Sequence, residues 1–106
     1  MSEDDFVEAI EDSAIEEDSM KLVIVAGRKI LLAKHGGKVY GVSDRCPHMS
    51  CSLSRGALNE YLVTCPCHPW SFDIRDGQYQ KSKEVKLMTY ECKTQNGKVY
   101  VKIIDF

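Results

Sequence analysis

The chain has 106 residues, of which 43% are hydrophobic and 28% are charged, and its net charge is −2. These values are typical of a single globular domain, so we expect one domain over residues 1–106. The composition is unlike that of an intrinsically disordered protein. No stretch is apolar enough to cross a bilayer, and the acidic first residues are unlike a signal peptide, so we expect no membrane segment.

The first half of the chain is predicted to form short strands. Residues 6–10 are mostly apolar and are predicted to be a short strand, and the acid-rich residues that follow them are predicted to be a loop. Residues 21–26 and 29–33 are rich in Val, Ile and Leu and are separated by Gly27 and Arg28, a pattern typical of a β-hairpin. A Gly-Gly turn then leads into a further strand over residues 39–42.

The second half continues this pattern and ends in the clearest element. Residues 62–64 and 72–74 are strand-like, and residues 88–93 and 98–103 flank an Asn-Gly turn as a terminal hairpin. The predicted fold class is therefore all-β, a small antiparallel β-sandwich. Residues 43–56 and 65–72 lack a clear strand pattern at their centres, and they hold the unusual chemistry.

Four candidate metal ligands lie in these two loops. Cys46 and His48 are separated by one residue, sixteen residues separate His48 from Cys65, and two residues separate Cys65 from His68. A proline follows each of the two cysteines and stiffens its loop. Clustered Cys and His in such a chain indicate a metal site before they indicate a disulfide framework.

This pattern resembles the Rieske family, in which two loops of a β-sandwich bind one [2Fe–2S] cluster. The resemblance covers most of the chain, from about residue 6 to the last hairpin, and includes residues 30–32 and 70–73. It implies that Cys46 and Cys65 bind one iron while His48 and His68 bind the other, with sulfides bridging the irons. It implies a one-electron carrier, not an enzyme, whose partners are redox proteins: a reductase and an oxygenase or other oxidoreductase.

The mixture of ligands has a physical consequence for the reduction potential. Neutral imidazoles make the cluster less negative than four thiolates do, so Rieske potentials span about −150 to +300 mV against about −400 mV for plant-type ferredoxins. In the quinol-oxidising branch of the family, a Ser and a Tyr hydroxyl donate to cluster sulfur and a cysteine ligand. Trp70 and Phe72 stand at those positions here, so we expect a potential toward the low end.

Two further cysteines match that same branch. The resemblance implies that Cys51 and Cys67 form a disulfide linking the two loops. The alternative is a pair of shielded thiols, since disulfides are rare in reducing compartments. A fifth cysteine, Cys92, lies in the terminal hairpin and is predicted to be an inert, buried thiol.

Three rival functions stay open at this point. A Cys₂His₂ zinc module is disfavoured because structural zinc ligands are usually separated by two to four residues, and Cys46 and His48 by one. A thiol hydrolase is disfavoured because nothing selects one nucleophile–base pair. The third is a Rieske subunit of a larger oxidoreductase, like the small subunits of nitrite reductases.

The distribution of charge along the chain indicates what kind of partner to expect. Residues 1–18 contain nine acids and no base, whereas residues 19–106 contain seven acids and all fourteen Lys and Arg. We interpret this as a solvated acidic segment on a mildly basic domain; the alternative is a basic surface that steers an acidic redox partner. The bases are scattered, so nucleic acid is not expected. Without the N-terminal helix of the respiratory branch, a cytoplasmic location is expected.

Overall fold

The computed structural model describes residues 6–45, 51–67, 70–79, 81 and 85–103. Over these residues the secondary structure is β, apart from two short 3₁₀ helices at Asp12–Ala14 and Leu53–Arg55. No helix in the described part of the chain is long and apolar enough to span a membrane. The strands are β1 (Phe6–Glu11), β2 (Ser19–Val25), β3 (Arg28–His35), β4 (Lys38–Ser43), β5 (Ala57–Asn59), β6 (Leu62–Thr64), β7 (Ser71–Asp73), β8 (Thr89–Tyr90), β9 (Cys92–Gln95) and β10 (Lys98–Lys102).

The strands form three antiparallel sheets. The terminal sheet has the order β1-β10-β9, the central sheet β2-β3-β4-β8, and the inserted sheet β5-β6-β7. The inserted sheet lies between β4 and β8 in the sequence. The predicted fold class, an antiparallel β-sandwich with a subdomain inserted between strands, is therefore confirmed.

Strand β3 is the centre of the molecule because both of its faces are buried. Ile30, Leu31, Leu32 and Ala33 have no accessible surface. Since side chains alternate along a strand, Ile30 and Leu32 face one side and Leu31 and Ala33 the other. A strand buried on both faces is a continuous apolar run, which is what the sequence shows here.

Two apolar clusters flank the central sheet. The scaffold cluster joins the central sheet to the terminal sheet, with Ile30 and Leu32 packed near Val99 and Val101. The insert cluster joins the opposite face to the inserted sheet; its buried members are Leu31, Ala33, Val42, Leu53, Val63, Cys65, Phe72, Ile74 and Leu87. The inserted sheet is thus held against the scaffold by a core of its own.

Both predicted hairpin turns are present in the structure, but the first turn lies one residue earlier than predicted. The turn between β2 and β3 is formed by Ala26 and Gly27, with φ of 52° and 77°, one residue earlier than predicted. A two-residue hairpin turn of this kind needs positive φ at both positions, and Arg28 already pairs with Val25 in the ladder. At the terminal hairpin, Asn96 and Gly97 form the predicted turn, with φ of 55° and 77°. The predicted strand over residues 88–93 is divided, because β8 pairs with β4 and the hairpin strand beside β10 is β9.

Strand β5 was not predicted from the sequence. It has three residues, too few to show alternation, and its turn to β6 contains no glycine: Glu60 takes a positive φ of 56° there. Gly56, just before β5, lies close to the backbone of β6. A Cβ at this position would overlap the carbonyl of Thr64, so only glycine allows this approach.

Candidate metal centre

The first loop is closed at its base by backbone contacts. Arg45 and Ser52 form an isolated antiparallel bridge, and the Leu53 N–H donates to the Asp44 carbonyl at 2.7 Å. The loop therefore leaves the end of β4 and returns beside it. Residues 46–50, with the predicted ligands Cys46 and His48, lie outside the described residues.

Asp44 anchors the returning arm of this loop. It is the one charged side chain that is buried among the described residues, with 5% of its surface exposed. Its carboxylate accepts hydrogen bonds from the Ser52 hydroxyl and from the Ser54 N–H, the latter at 2.9 Å. A buried carboxylate is costly without such donors, so these bonds fix the loop's exit path.

The second loop is the connection between β6 and β7. Thr64 pairs with Ser71 at the ends of these strands, and their hydroxyls lie 2.9 Å apart. Inside this pair, the Cys65 N–H donates to the Trp70 carbonyl at 2.8 Å. The predicted ligand His68 lies inside this loop but outside the described residues.

A disulfide joins the two loops. Cys51 and Cys67 are bonded, with their Cα atoms 6.4 Å apart, within the usual range for disulfides. The predicted pairing is confirmed. Because Cys51 lies at the end of the first loop and Cys67 within the second, the bond fixes the separation of the segments that carry the predicted ligands.

Cys65 is the predicted ligand that the structure describes. Its side chain is free of a disulfide and buried at 3% exposure in the insert cluster. A buried thiol at the base of a loop suits a sulfur ligand, since thiolates bind iron in iron–sulfur proteins. The thiol of Cys65, the one predicted ligand among the described residues, therefore fits the predicted cluster.

Cys92 belongs to another part of the molecule. It packs against the scaffold cluster, and burial, with a smaller effect of the Glu91 charge, raises the pKa of its thiol to about 12. Such a thiol is protonated at neutral pH and is a poor nucleophile or metal ligand. The prediction of an inert thiol agrees with this environment.

Trp70 and Phe72, which stand where the quinol-oxidising branch has Ser and Tyr, both pack against other aromatic rings. Trp70 stacks on Tyr79, with ring centroids 4.2 Å apart and planes 10° apart. Phe72 is fully buried, and its ring centroid lies 5.5 Å from that of Tyr79. Trp70 and Phe72 thus support the second loop from below, and the expected low potential stays a prediction.

The far end of the inserted sheet is closed by an ion pair. Arg75 donates to Asp73 through Nε at 3.0 Å and through Nη2 at 2.7 Å. Hydrogen bonding from Arg75 holds the pKa of Asp73 below its usual value. The guanidinium also lies over the Tyr61 ring, 3.9 Å from its centroid.

The sequence model of the Rieske [2Fe–2S] domain matches residues 5–91. The chain belongs to the Rieske [2Fe–2S] family. The resemblance found in the sequence is confirmed, and so is the cofactor, one [2Fe–2S] cluster. The zinc-stabilised module is thereby disfavoured.

Two known relatives of similar length are ferredoxin components of oxygenase systems. The ferredoxin component of the alkene monooxygenase system of Xanthobacter autotrophicus is 30% identical over 104 residues, which are 94% of this chain and 85% of that protein. The ferredoxin component of the naphthalene 1,2-dioxygenase system of Pseudomonas putida is 29% identical over 97 residues, which are 91% and 93% of the two chains.

Solved structures share the fold at lower identity. The ferredoxin of carbazole 1,9a-dioxygenase from Nocardioides aromaticivorans IC177 has a TM-score of 0.86 at 20% identity, over 92% of this chain and 96% of that one. A chain described as an NADH-dependent nitrite reductase small subunit from Mycobacterium tuberculosis also has a TM-score of 0.86, at 19% identity, over 95% and 96% of the two chains. At these identities the likeness shows the fold alone.

Sequence reasoning missed the polar anchor of the first loop. Asp44 follows a strand and precedes a predicted ligand loop, and Ser52 and Ser54 lie beyond that loop. The available signal was the motif itself: an Asp just after a strand, with serines eight and ten residues later, offers a carboxylate for a returning loop.

Proposed function

We propose that this Rieske protein is a one-electron carrier in which Cys46 and Cys65 bind one iron and His48 and His68 the other. The observation that carries this assignment is the Cys51–Cys67 disulfide, which ties together the two loops that hold these residues, with the unpaired thiol of Cys65 buried beside it. We further propose that residues 1–106 form one domain, with ligand loops at about 43–56 and 65–72, and that the protein works in the cytoplasm.

A [2Fe–2S] cluster supplies reversible one-electron chemistry when it is bound. The protein's part is to hold the ligand loops still while the charge changes. Three described features do so: the Arg45–Ser52 bridge, the buried Asp44 and the disulfide. Restricting ligand movement keeps the oxidised and reduced geometries alike, which suits a carrier that must gain and lose an electron repeatedly.

We propose that the electron passes from a reductase to an oxygenase or another oxidoreductase. One support is the alkene monooxygenase ferredoxin component, which aligns over 94% of this chain. The other is a solved complex of an oxygenase and a ferredoxin in carbazole 1,9a-dioxygenase, one chain of which has the fold of this chain with a TM-score of 0.84. On this view the chain is a carrier and not by itself an enzyme.

A second candidate is a permanent subunit of a larger oxidoreductase. It is favoured by the likeness in fold to the chain described as a nitrite reductase small subunit. The carrier role is the better supported of the two because identity is higher to the alkene monooxygenase ferredoxin component, 30% against 19%. Purification with a second protein at fixed stoichiometry would favour the subunit role.

The ligand assignment is tested by EPR of the dithionite-reduced protein together with iron and acid-labile sulfide analysis. We expect His48→Ala and His68→Ala each to abolish the wild-type signal. His35→Ala is the matched control, because His35 lies by the far turn with its Nδ1 2.5 Å from the Asp18 carboxylate. An unchanged signal in either ligand variant, or a lost signal in the control, contradicts the assignment.

A further inference from the structure

A basic groove runs beside the disulfide. It has a volume of about 1020 Å³, and the disulfide residues Cys51 and Cys67 form part of its wall. Four cations from the described part of the chain line it: Arg28, Lys29, Arg45 and Arg55. They come from three separate segments, the start of β3, the residues just after β4 and the second 3₁₀ helix, so the fold, and not a sequence run, assembles them.

The charge of the groove is positive on balance. Among the described residues that line the groove, Asp44 is the one carboxylate, so these residues carry a balance of +3. Asp44 is buried, and its carboxylate oxygens accept hydrogen bonds from Ser52 and Ser54. Its negative charge is therefore not presented to a molecule at the surface. Lys29, Arg45 and Arg55 are exposed and can meet an approaching molecule.

The opposite end of the β2–β3 hairpin is acidic on balance among the described residues, because Lys34 there is paired with Asp12 and Lys38 is a single cation beside three acids. Glu16, Glu17 and Asp18 precede β2, and Asp18 hydrogen-bonds through its N–H to the Lys34 carbonyl near the end of β3. Strand β3 has eight residues, so this end lies about 23 Å from Arg28 along the strand. The molecule therefore has a charge gradient along the hairpin, with its positive end at the ligand loops.

We propose that this groove is the docking surface for an acidic face of the redox protein that exchanges electrons with the cluster. The inference rests on the proposed function and adds the site and the charge of the partner's surface. A positive surface next to the ligand loops, with a negative end far from them, orients an acidic partner so that the loops face it at encounter.

A protein surface suits this groove better than a small anion does. The groove is at the upper limit of the volumes of small-molecule sites. Three of its four cations are exposed instead of converging in an enclosed pocket. Exposed charges around a redox centre act mainly on the association rate and depend strongly on salt.

The test compares two double variants with the same change in net charge. Lys29→Glu with Arg55→Glu reverses the groove, and Lys21→Glu with Lys38→Glu reverses two exposed lysines outside its lining. The rate of electron exchange is measured by stopped flow at low and at high salt, in the direction that the reduction potentials favour. Two probes are used: rubredoxin, a small acidic iron protein, and cytochrome c, a small basic haem protein.

We expect the groove variant to slow exchange with rubredoxin about 10-fold or more at low salt and to speed exchange with cytochrome c. The control variant should change either rate less than about 3-fold, and high salt should remove the difference. Equal effects of the two double variants, or no effect, would overturn the docking proposal. Lys29→Gln with Arg55→Gln, expected to have a smaller effect of the same sign, serves if the reversed variant does not fold.

These outcomes separate the docking proposal from the proposed function. If the protein binds no cluster, no variant exchanges electrons with either probe, and the proposed function fails. If the wild type and both variants carry the cluster at one potential and exchange electrons at equal rates, the carrier role stands and only the docking surface is wrong.

Discussion

The scaffold and the inserted sheet are stabilised in different ways. The scaffold consists of the terminal and central sheets, whose longest strands have six to eight residues and enclose one apolar cluster. The strands of the inserted sheet have three residues each. Its loops depend in addition on a disulfide, a buried carboxylate and a stacked aromatic pair.

Strand length explains this difference. Short strands make few ladder bonds and bury little surface, so three of them are marginally stable alone. The insert compensates with cross-links placed where the ligand loops leave and re-enter the sheet. We infer that the scaffold determines whether the chain folds, and that the cross-links determine whether the ligand positions are fixed.

The largest effect should come from the ligand position that the structure describes. Cys65→Ser is expected to abolish cluster binding, because a hydroxyl is a poor replacement for a buried thiolate at an iron site. Iron and sulfide analysis with a visible spectrum measures this. Cys92→Ser is the matched control and should keep the full cluster content; loss of iron from both variants alike would argue against a special role for Cys65.

The next prediction compares the two apolar clusters. Phe72→Ala and Leu32→Ala remove fully buried side chains from the insert cluster and the scaffold cluster. Each should lower the free energy of unfolding by about 2–5 kcal/mol, measured by denaturant titration. Phe72→Ala should also release iron faster to a chelator, because Phe72 lies under the second loop. Equal iron release by the two variants would contradict the division between scaffold and insert.

A smaller loss is expected from removing the disulfide. Cys51 and Cys67 are separated by 16 positions, and closing a loop of that size is worth about 3 kcal/mol. Replacing both by Ser should lower the denaturation midpoint accordingly while the cluster still binds. Wild-type protein whose disulfide is reduced by excess thiol is the internal comparison, with the cluster in the same oxidation state in every sample, and it should reproduce the shift.

The smallest effect concerns the ion pair at the far end of the insert. Arg75→Met removes the hydrogen bonds that lower the pKa of Asp73, so that pKa should rise toward its usual value. A lowered carboxyl pKa adds stability above the usual pKa and loses it as the pH falls through the lowered value. NMR titration of the Asp73 carboxyl measures the shift; Arg55→Met, which keeps the pair, should leave it unchanged.

The scaffold could be predicted from the sequence because its signals are local. The apolar run at residues 30–33 and the Asn96-Gly97 turn each indicate their structure within a few residues. The ligand set could be inferred because Cys and His at fixed spacing have few other uses. Residues 46–50, 68 and 69 lie outside the described part, so the placement of Cys46, His48 and His68 stays a prediction.

The remaining features depend on contacts between distant residues. Strand β5 forms because β6 offers it a partner, a signal that three residues cannot carry alone. The basic groove takes Arg28, Arg45 and Arg55 from separate segments. His35, beside a Gly-Gly turn, is half-buried against Asp18 and the Tyr61 ring, contacts that its local sequence does not indicate.

The most direct test of the central claim is pulsed EPR on the reduced protein, prepared once unlabelled and once with ¹⁵N-histidine. Two imidazole ligands predict couplings from two histidine nitrogens, which change to the ¹⁵N pattern on labelling. Absence of histidine coupling, or a protein that takes up no iron and sulfide on anaerobic reconstitution, would contradict a cluster held by two sulfur and two imidazole ligands.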